Sequence, residues 1–290
     1  MVRTRVMLGS ALAAFFALLA WLDTLMAAGP LVHIVFGLVM VGTLLEFYAL
    51  AGRQGSRPLK LIPVGLVVIF VALDYMVGVA NVSRGALPVV LPGSIEALRR
   101  FYAMTGMGAA VGVWVVCIAQ LLARDPREWL ASAPVAVTGL LYVWFLAAHL
   151  FPIRAMGMGY VIAVITAAKL GDVGAYSVGT RWGRHRLAPR VSPKKTIEGA
   201  LGGLAASVAG SVAVALAFRL QGSIGRWVLF GVVVGIAAQL GDLVASAVKR
   251  SAGAKDSGQL VPTFGGLLDI VDSLLFSAPA ALWFLVAGCV

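Results

Sequence analysis

Charged side chains interrupt the apolar segments of this chain at spacings that bring them together on helix faces. Lys169 and Asp172 are three residues apart, and Asp269 and Asp272 repeat that spacing near the C-terminus. Because residues three or four apart share one face of an α-helix, each pair presents its charges together. The ionisable residues within apolar segments or at their ends are Glu46, Asp74, Lys169, Asp172, Glu198, Asp242, Asp269 and Asp272.

Three of these carboxylates point to a metal site. Asp242, Ser246 and Lys249 share one helix face, and Asp269 and Asp272 begin the next apolar segment. An ionisable group near the bilayer centre costs at least about 2.5–3.5 kcal/mol. Three converging carboxylates would also repel one another unless a cation neutralised them. Carboxylate oxygens are ligands that Mg²⁺ prefers, with substrate phosphates completing its shell, so the pattern predicts a magnesium site.

The alternative for each charge is a structural role. Lys169 and Asp172 can neutralise each other as an ion pair. Glu46 and Asp74 are equally open to structural and functional interpretations, and His33 and His149 look like ordinary residues at span ends.

The first polar loop, about 179–197, continues into a segment with three cations. Residues 190–199, RVSPKKTIEG, place Ser192, Lys194, Lys195 and Thr196 just before a helix expected to start near Pro193. A helix N-terminus offers free N–H groups and the positive end of its dipole, which favour an anion. The segment therefore predicts a phosphate site, while a loop whose charge only sets membrane topology remains an equal alternative.

The second polar loop, about 249–267, begins with cations and ends beside the carboxylates. Gly258, Gly265 and Gly266 allow the backbone to approach a ligand closely. Cations together with a carboxylate-held metal are what phosphoryl or nucleotidyl transfer requires, because charge builds on the phosphate oxygens. No G-x-x-x-x-G-K-[ST] motif and no Ser or Cys nucleophile with a paired base is evident.

The elements that must hold these groups are membrane spans. Hydrophobic residues make up 61% of the 290 and charged residues only 12%, against about 25% charged residues in a soluble domain. The two cysteines suggest neither a metal site nor a disulfide. We therefore expect an all-α polytopic bundle with about nine spans, near 6–28, 31–51, 60–80, 104–123, 130–150, 157–178, 198–218, 227–248 and 268–289.

The basic residues predict the orientation of this bundle. With the N-terminus inside, 16 of the 23 Lys and Arg residues face the cytosol, 6 face the other side, and Lys169 lies within a span. Both polar loops are then cytosolic. The net charge of +11 suits anionic lipid headgroups, and no nucleic-acid partner is expected. We divide the chain into an N-terminal bundle, 1–150, and a C-terminal catalytic region, 151–290.

The stretch from Ala168 to Ser277 resembles the phosphatidate cytidylyltransferases. Three segments carry the resemblance: KLGDVGAYSVG at 169–179, SPKKTIEG at 192–199, and QLGDL at 239–243 leading into the second loop. The family signature there reads approximately S-x-x-K-R-x(4)-K-D-x-G-x-x-x-P-x-H-G-G-x-x-D-R-x-D. The chain matches it at Ser246, Lys249, Arg250, Lys255, Asp256, Gly258, Pro262, Gly265, Gly266, Asp269 and Asp272. It departs from the signature at Phe264, where the family has His, and at Ile270, where the family has Arg.

The resemblance implies that CTP and phosphatidate react to give CDP-diacylglycerol and pyrophosphate, with Mg²⁺. It implies Asp242 and Asp269 as first choices for metal ligands and Asp256 and Asp272 as second choices. Lys249 joins these four in the expected catalytic set. The expected substrate-binding residues are Ser192, Lys194, Lys195, Thr196, Ser246, Arg250, Lys255, Lys169 and Asp172.

The same resemblance implies a bacterial inner membrane location with membrane lipids as neighbours. A second cation and a homodimer are left open. The alternatives are a CTP-dependent transferase acting on another lipid phosphate or a lipid alcohol, a cation-coupled transporter, and a scaffold with a decayed site.

Overall fold

The computed structural model describes residues 30–83, 95–259 and 265–287, together with a few isolated positions before residue 30. Within these ranges, eight helical segments are long and apolar enough to cross a membrane. They correspond to the second to ninth predicted spans, so the polytopic all-α architecture is confirmed. The first predicted span, 6–28, lies outside the described residues except for isolated positions.

The helices fall into an N-terminal and a C-terminal group along the chain. The N-terminal part contains α1 (Pro30–Gly52), α2 (Leu61–Ser83) and α3 (Ile95–Ala123), and then a composite span of α4 (Trp129–Leu140), a π-helical turn (Leu141–Phe145) and α5 (Leu150–Met156). The C-terminal part contains α6 (Met158–Trp182), α7 (Ile197–Ala217), α8 (Ile224–Ser251) and α9 (Leu267–Ala287). Because the spans alternate in direction, the end of α6 and the start of α7 lie at the same end of the bundle as the α8–α9 loop. We call this the loop end.

A small hairpin departs from the expected helix start near Pro193. Strand β1 (Arg186–Ala188) pairs antiparallel with β2 (Ser192–Thr196), and α7 begins only at Ile197. A residue before proline is disfavoured in the helical region, and Thr196 is a good N-cap residue. Its hydroxyl accepts a hydrogen bond from the Gly199 N–H at 3.1 Å.

Small residues let α6, α7 and α8 pack closely. A methyl group added at Gly203 would lie 2.8 Å from the carbonyl oxygen of Gly171, and one added at Gly231 would lie 2.5 Å from the Cα of Val208. Such contacts are typical of membrane helices, where small residues allow backbones to approach. The close packing brings the polar faces of the three helices to one place.

The N-terminal helices are joined by polar contacts within the membrane. The Tyr48 hydroxyl donates to the carbonyl of Ala136 at 2.7 Å, which links α1 to α4. Asp74 of α2 lies 3.1 Å from the Nε2 atom of His33 on α1. The partner of Asp74, which the sequence did not reveal, is therefore a histidine on a neighbouring helix.

A second buried carboxylate, which was not predicted from the sequence, lies near His33 at the start of α1. Asp23 is fully buried and pairs with Arg154 at 2.6 Å. Its other oxygen accepts a hydrogen bond from the Val32 N–H at the start of α1, at 3.1 Å. This pair fastens the beginning of α1 to α5.

Candidate active site

Two lysine–aspartate pairs lie at the loop end of the bundle. Lys195, at the end of the hairpin, places its Nζ atom 2.6 Å from Asp242 of α8. Lys249 of α8 places its Nζ atom 2.5 Å from Asp269 of α9. A lysine expected to bind substrate, Lys195, and one expected in the catalytic set, Lys249, therefore rest against the two carboxylates that were first choices for metal ligands.

Asp269 is the most highly connected side chain of this site. Its second oxygen accepts hydrogen bonds from the Ser257 N–H at 2.8 Å, the Ser257 hydroxyl at 3.0 Å and the Gly266 N–H at 3.0 Å. Gly265 has a φ of 97°, and a side chain there would lie 2.7 Å from the Asp269 oxygen. A glycine at 265 is therefore needed for the loop to close around this carboxylate.

Glu46 is a central residue whose role the sequence did not settle. Its carboxylate, from α1, accepts hydrogen bonds at 2.9 Å from the N–H groups of Leu267 and Leu268 in the first turn of α9. The Ser257 hydroxyl lies 2.8 Å from the same carboxylate. An acidic group at a helix N-terminus satisfies free N–H groups and the dipole together. The signal in the sequence was a lone Glu in an apolar span, but nothing in it named the partner.

The Ser257 hydroxyl, which has a single proton, lies between the carboxylates of Glu46 and Asp269. Its oxygen is within hydrogen-bond distance of both Glu46 and Asp269. Because a hydroxyl has a single proton to donate, the two acidic groups share it. The position of Asp269 thus depends on a residue from the first described helix.

Lys169, Asp172 and Ser273 form a polar triad between α6 and α9. The Lys169 ammonium donates to Asp172 at 3.1 Å and to the Ser273 hydroxyl at 2.8 Å. The Ser273 hydroxyl also lies 3.2 Å from Asp172. The ion pair that was the structural alternative for these residues is therefore present, and it extends to the helix that carries Asp269.

Asp272 is buried among other charges. Its side chain accepts a hydrogen bond from the Ser273 N–H at 2.7 Å and makes no ion pair with the residues that the structure describes. It lies within electrostatic range of Asp242, Lys169, Asp172 and Lys249. Within the described residues, the predicted convergence of Asp242, Asp269 and Asp272 into one cluster is not seen, and only Asp242 and Asp272 act on each other.

Tyr142 of the π-helical turn reaches the same region. It lies within electrostatic range of Asp272 and Asp242, and its ring packs at 6.4 Å against Phe276, one turn after Asp272. Its buried hydroxyl has no hydrogen-bond partner in the described part of the chain. Tyr142 was not predicted as a site residue, because tyrosines are common in apolar spans.

Four of the predicted residues lie at the periphery. Lys194, Arg250, Lys255 and Asp256 are exposed to the surroundings of the bundle. The Arg250 guanidinium donates to the carbonyl of Ala254 at 3.1 Å, which helps to close the loop. Their roles toward substrate stay predictions.

Three hydroxyl residues have different surroundings. Ser246 donates to Asp242 at 3.4 Å, as the helical spacing predicted. Thr196 is buried and caps α7, so the structure gives it a structural contact, whereas Ser192 is half-buried at the start of β2. Phe264 and Pro262 lie outside the described residues, and Ile270 lies half-buried in α9.

The donor set is suited to a cation held jointly with phosphate. Within the described ranges, no cluster of three or more His, Cys, Asp or Glu side chains forms a complete metal site. Mg²⁺ is commonly held by one or two carboxylates with substrate phosphates and water. Asp272, buried without an ion pair beside Asp242, meets that description. Asp242 and Asp269 each have both oxygens engaged, so their metal roles stay predictions.

The fold and the site define an integral membrane protein with two lysine–carboxylate pairs at the loop end of its helices. A profile of the cytidylyltransferase family matches residues 3–287. The chain is 33% identical over 204 residues to a phosphatidate cytidylyltransferase of Staphylococcus aureus (strain COL), covering 66% of this chain and 78% of that protein. The chain therefore belongs to the cytidylyltransferase family, and it is a membrane nucleotidyltransferase.

Two further relatives show the breadth of the similarity. A phosphatidate cytidylyltransferase of Staphylococcus epidermidis (strain ATCC 35984) is 32% identical over 200 residues, which is 65% of this chain and 77% of that protein. An Escherichia coli (strain K12) protein named only as uncharacterized is 32% identical over 185 residues, 61% of this chain and 62% of its own length.

Proposed function

We propose that this enzyme transfers the cytidylyl group of CTP to phosphatidate, giving CDP-diacylglycerol and pyrophosphate for phospholipid synthesis. The observation that carries the proposal is the meeting of Lys195, Lys249, Asp242 and Asp272 at the loop end of membrane-crossing helices. A lipid phosphate held by its acyl chains in the bilayer and a nucleotide arriving from water can meet only near such an end.

The reaction needs positioning and charge neutralisation more than proton transfer. A phosphate monoester has a second pKa of about 6, so the lipid phosphate is largely ionised at neutral pH. One of its oxygens attacks the α-phosphorus of CTP, a new P–O bond forms, and the bond to the β-phosphate oxygen breaks. Pyrophosphate leaves with that electron pair, and no covalent enzyme intermediate is required.

The chain's own cations neutralise the charge that builds on these oxygens. Lys195 and Lys249 are half-buried or buried, and each already rests against a carboxylate. A triphosphate or lipid phosphate would compete with Asp242 and Asp269 for these ammonium groups. We expect Arg250 and Lys255, which are exposed beside this site, to meet the outer phosphates.

Asp242 and Asp272 would hold Mg²⁺, with Asp269 as the further predicted ligand. When bound, the ion would supply Lewis-acid stabilisation of the phosphate oxygens. The carboxylates released by the lysines would then not stand as uncompensated charges within the membrane. A second cation remains a prediction.

The location follows from the same reasoning. We propose that the loop end faces the cytosol of a bacterium, because CTP is there and most basic residues lie at that end. The N-terminus would then be cytosolic and the enzyme would lie in the inner membrane. A homodimer remains a prediction without a described interface.

The test is a lipid panel with labelled CTP. The purified enzyme in Mg²⁺ buffer is offered phosphatidate, an ether-linked phosphatidate, an isoprenoid phosphate and diacylglycerol, and lipid products are separated. We expect labelled CDP-diacylglycerol from phosphatidate, and Asp269→Asn protein serves as the blank. A CDP-lipid formed only from another phosphate would refute the substrate, and phosphorylation of diacylglycerol would refute the reaction type.

A further inference from the structure

The hairpin and the end of α6 carry a set of exposed cations, of which only Lys194 is expected to bind substrate. Arg181, Arg184, Arg186, Arg190 and Lys194 are all exposed, and none makes an ion pair with a described residue. The neighbouring acidic group, Glu198, lies against the start of the hairpin and contacts His185 and backbone N–H groups rather than an arginine side chain. It accepts hydrogen bonds from the backbone N–H of Arg184 at 3.0 Å and from the ring of His185 at 2.6 Å. We call these five cations the basic hairpin.

Strand geometry separates this basic hairpin from the site. Consecutive side chains of a strand point to opposite faces, and Lys194 and Lys195 obey that rule. Lys195 turns inward to Asp242 at 2.6 Å, while Lys194 is exposed. The hairpin thus offers one lysine to the site and presents its remaining charge on the outer face.

Connectivity holds the basic hairpin at the level of the lipid headgroups. It joins two membrane-crossing helices, α6 ending at Trp182 and α7 beginning at Ile197. Trp182 is 62% exposed and Leu187 is 38% exposed. Tryptophan at the end of a span is typical of the membrane–water interface. The charges between these residues therefore lie beside the headgroups of one leaflet.

We propose that the basic hairpin is a docking surface for the anionic lipid headgroups of the leaflet at the loop end. Positive charge at this depth is complementary to anionic lipids and attracts them within a Debye length. Resting on the proposed function, this surface would concentrate the enzyme's anionic lipid substrate at the side of the bundle where Lys195 enters the site. The binding itself does not depend on turnover.

The experiment compares lipid selectivity of two variants with equal loss of charge. The first is Arg181→Gln, Arg184→Gln and Arg186→Gln in the basic hairpin. The control is Arg53→Gln, Lys60→Gln and Arg127→Gln, exposed cations of other loops at the same end. Each full-length protein is reconstituted in phosphatidylcholine bilayers, and nitroxide-labelled phosphatidylglycerol or phosphatidylcholine reports which lipid the protein immobilises.

We expect the wild-type protein to select labelled phosphatidylglycerol, and the hairpin variant to lose at least about threefold of that selectivity. High salt should remove the same preference, because it screens surface charge. The control variant should keep it. Equal losses of selectivity in both variants would overturn the proposal, because the charge of all the loops together would then attract the lipid. A hairpin variant with unchanged selectivity would overturn it as well. Because no step of this measurement uses CTP, its failure is distinct from a failure to form CDP-lipid.

Discussion

Replacing Glu46 by glutamine should slow the enzyme although Glu46 lies on α1, distant in sequence from every predicted site residue. One carboxylate oxygen accepts the N–H of Leu267, and the other accepts the N–H of Leu268 and faces Ser257. A glutamine has only one acceptor oxygen. In either orientation its NH₂ group must therefore face a backbone N–H donor of α9.

The size of the effect follows from these contacts. A hydrogen bond to a charged group contributes about 1.5–3 kcal/mol, and an unsatisfied buried donor costs about 1–3 kcal/mol. Glu46 is buried, so solvent does not screen the loss. Because both figures describe the same lost contact, we take about 1.5–3 kcal/mol, which corresponds, at about 1.36 kcal/mol per tenfold change, to a ceiling of roughly 13- to 160-fold in rate. Since part of the loss will appear as lower stability, we expect kcat to fall by about tenfold to a hundredfold.

The assay must distinguish a displaced Asp269 side chain, which lowers kcat, from a loss of folded protein. Thermal stability is measured in detergent, and kcat and the KM values for CTP and phosphatidate are measured on the folded fraction. Asp74→Asn is the matched control, because it removes another intramembrane carboxylate, whose partner is His33. It should lower stability and leave kcat within about twofold. If folded Glu46→Gln protein turned over at the normal rate, Glu46 would be a structural contact only, and our account of Asp269 would be refuted.

Three other substitutions test individual contacts. Asp269→Asn removes the partner of Lys249 and a charge that three donors hold, so kcat should fall at least a hundredfold while the protein remains folded by size-exclusion chromatography; near-normal activity would contradict its predicted role. Lys195→Gln leaves Asp242 without its cation, so the KM for a phosphate substrate should rise about tenfold, and an unchanged KM would place Lys195 outside the site. Tyr142→Phe removes a buried hydroxyl without a described partner, so stability should be equal or higher; any loss of kcat or rise in KM would show that the hydroxyl meets substrate.

The membrane architecture could be predicted because lipid imposes a strong rule on composition. About 20 apolar residues are needed to cross a bilayer as a helix, and the second to ninth predicted spans each coincide with a described helix. Helical spacing also placed Asp242 with Ser246 and Lys169 with Asp172. Such relations are local, so the sequence contains them directly.

The contacts between helices could not be predicted, because they depend on how the bundle packs. Lys195 pairs with Asp242 across 47 positions of the numbering, and Glu46 reaches Leu267 over a separation of 221. The strand at Ser192–Thr196 was also missed, since four polar residues and a proline before a helix suit a helix start as well as a strand. The segment is a strand because it pairs with β1, and no local sequence pattern predicts that pairing.

The pairing of the site's lysines with its carboxylates explains how so many charges can remain in a membrane without substrate. An unpaired aspartate would carry the full cost of leaving water, whereas Asp242 and Asp269 each have an ammonium group at 2.5–2.6 Å. Under the proposed function, the same pairing would make the site responsive to its substrates. A phosphate that drew Lys195 and Lys249 away would leave Asp242 and Asp269 without their counter-charges, and a cation would have to replace them. Asp272 makes no ion pair in the described structure, and Lys169 and Lys249 lie only within electrostatic range of it. Its carboxylate is therefore the one of the three that substrate phosphates need not free from a lysine.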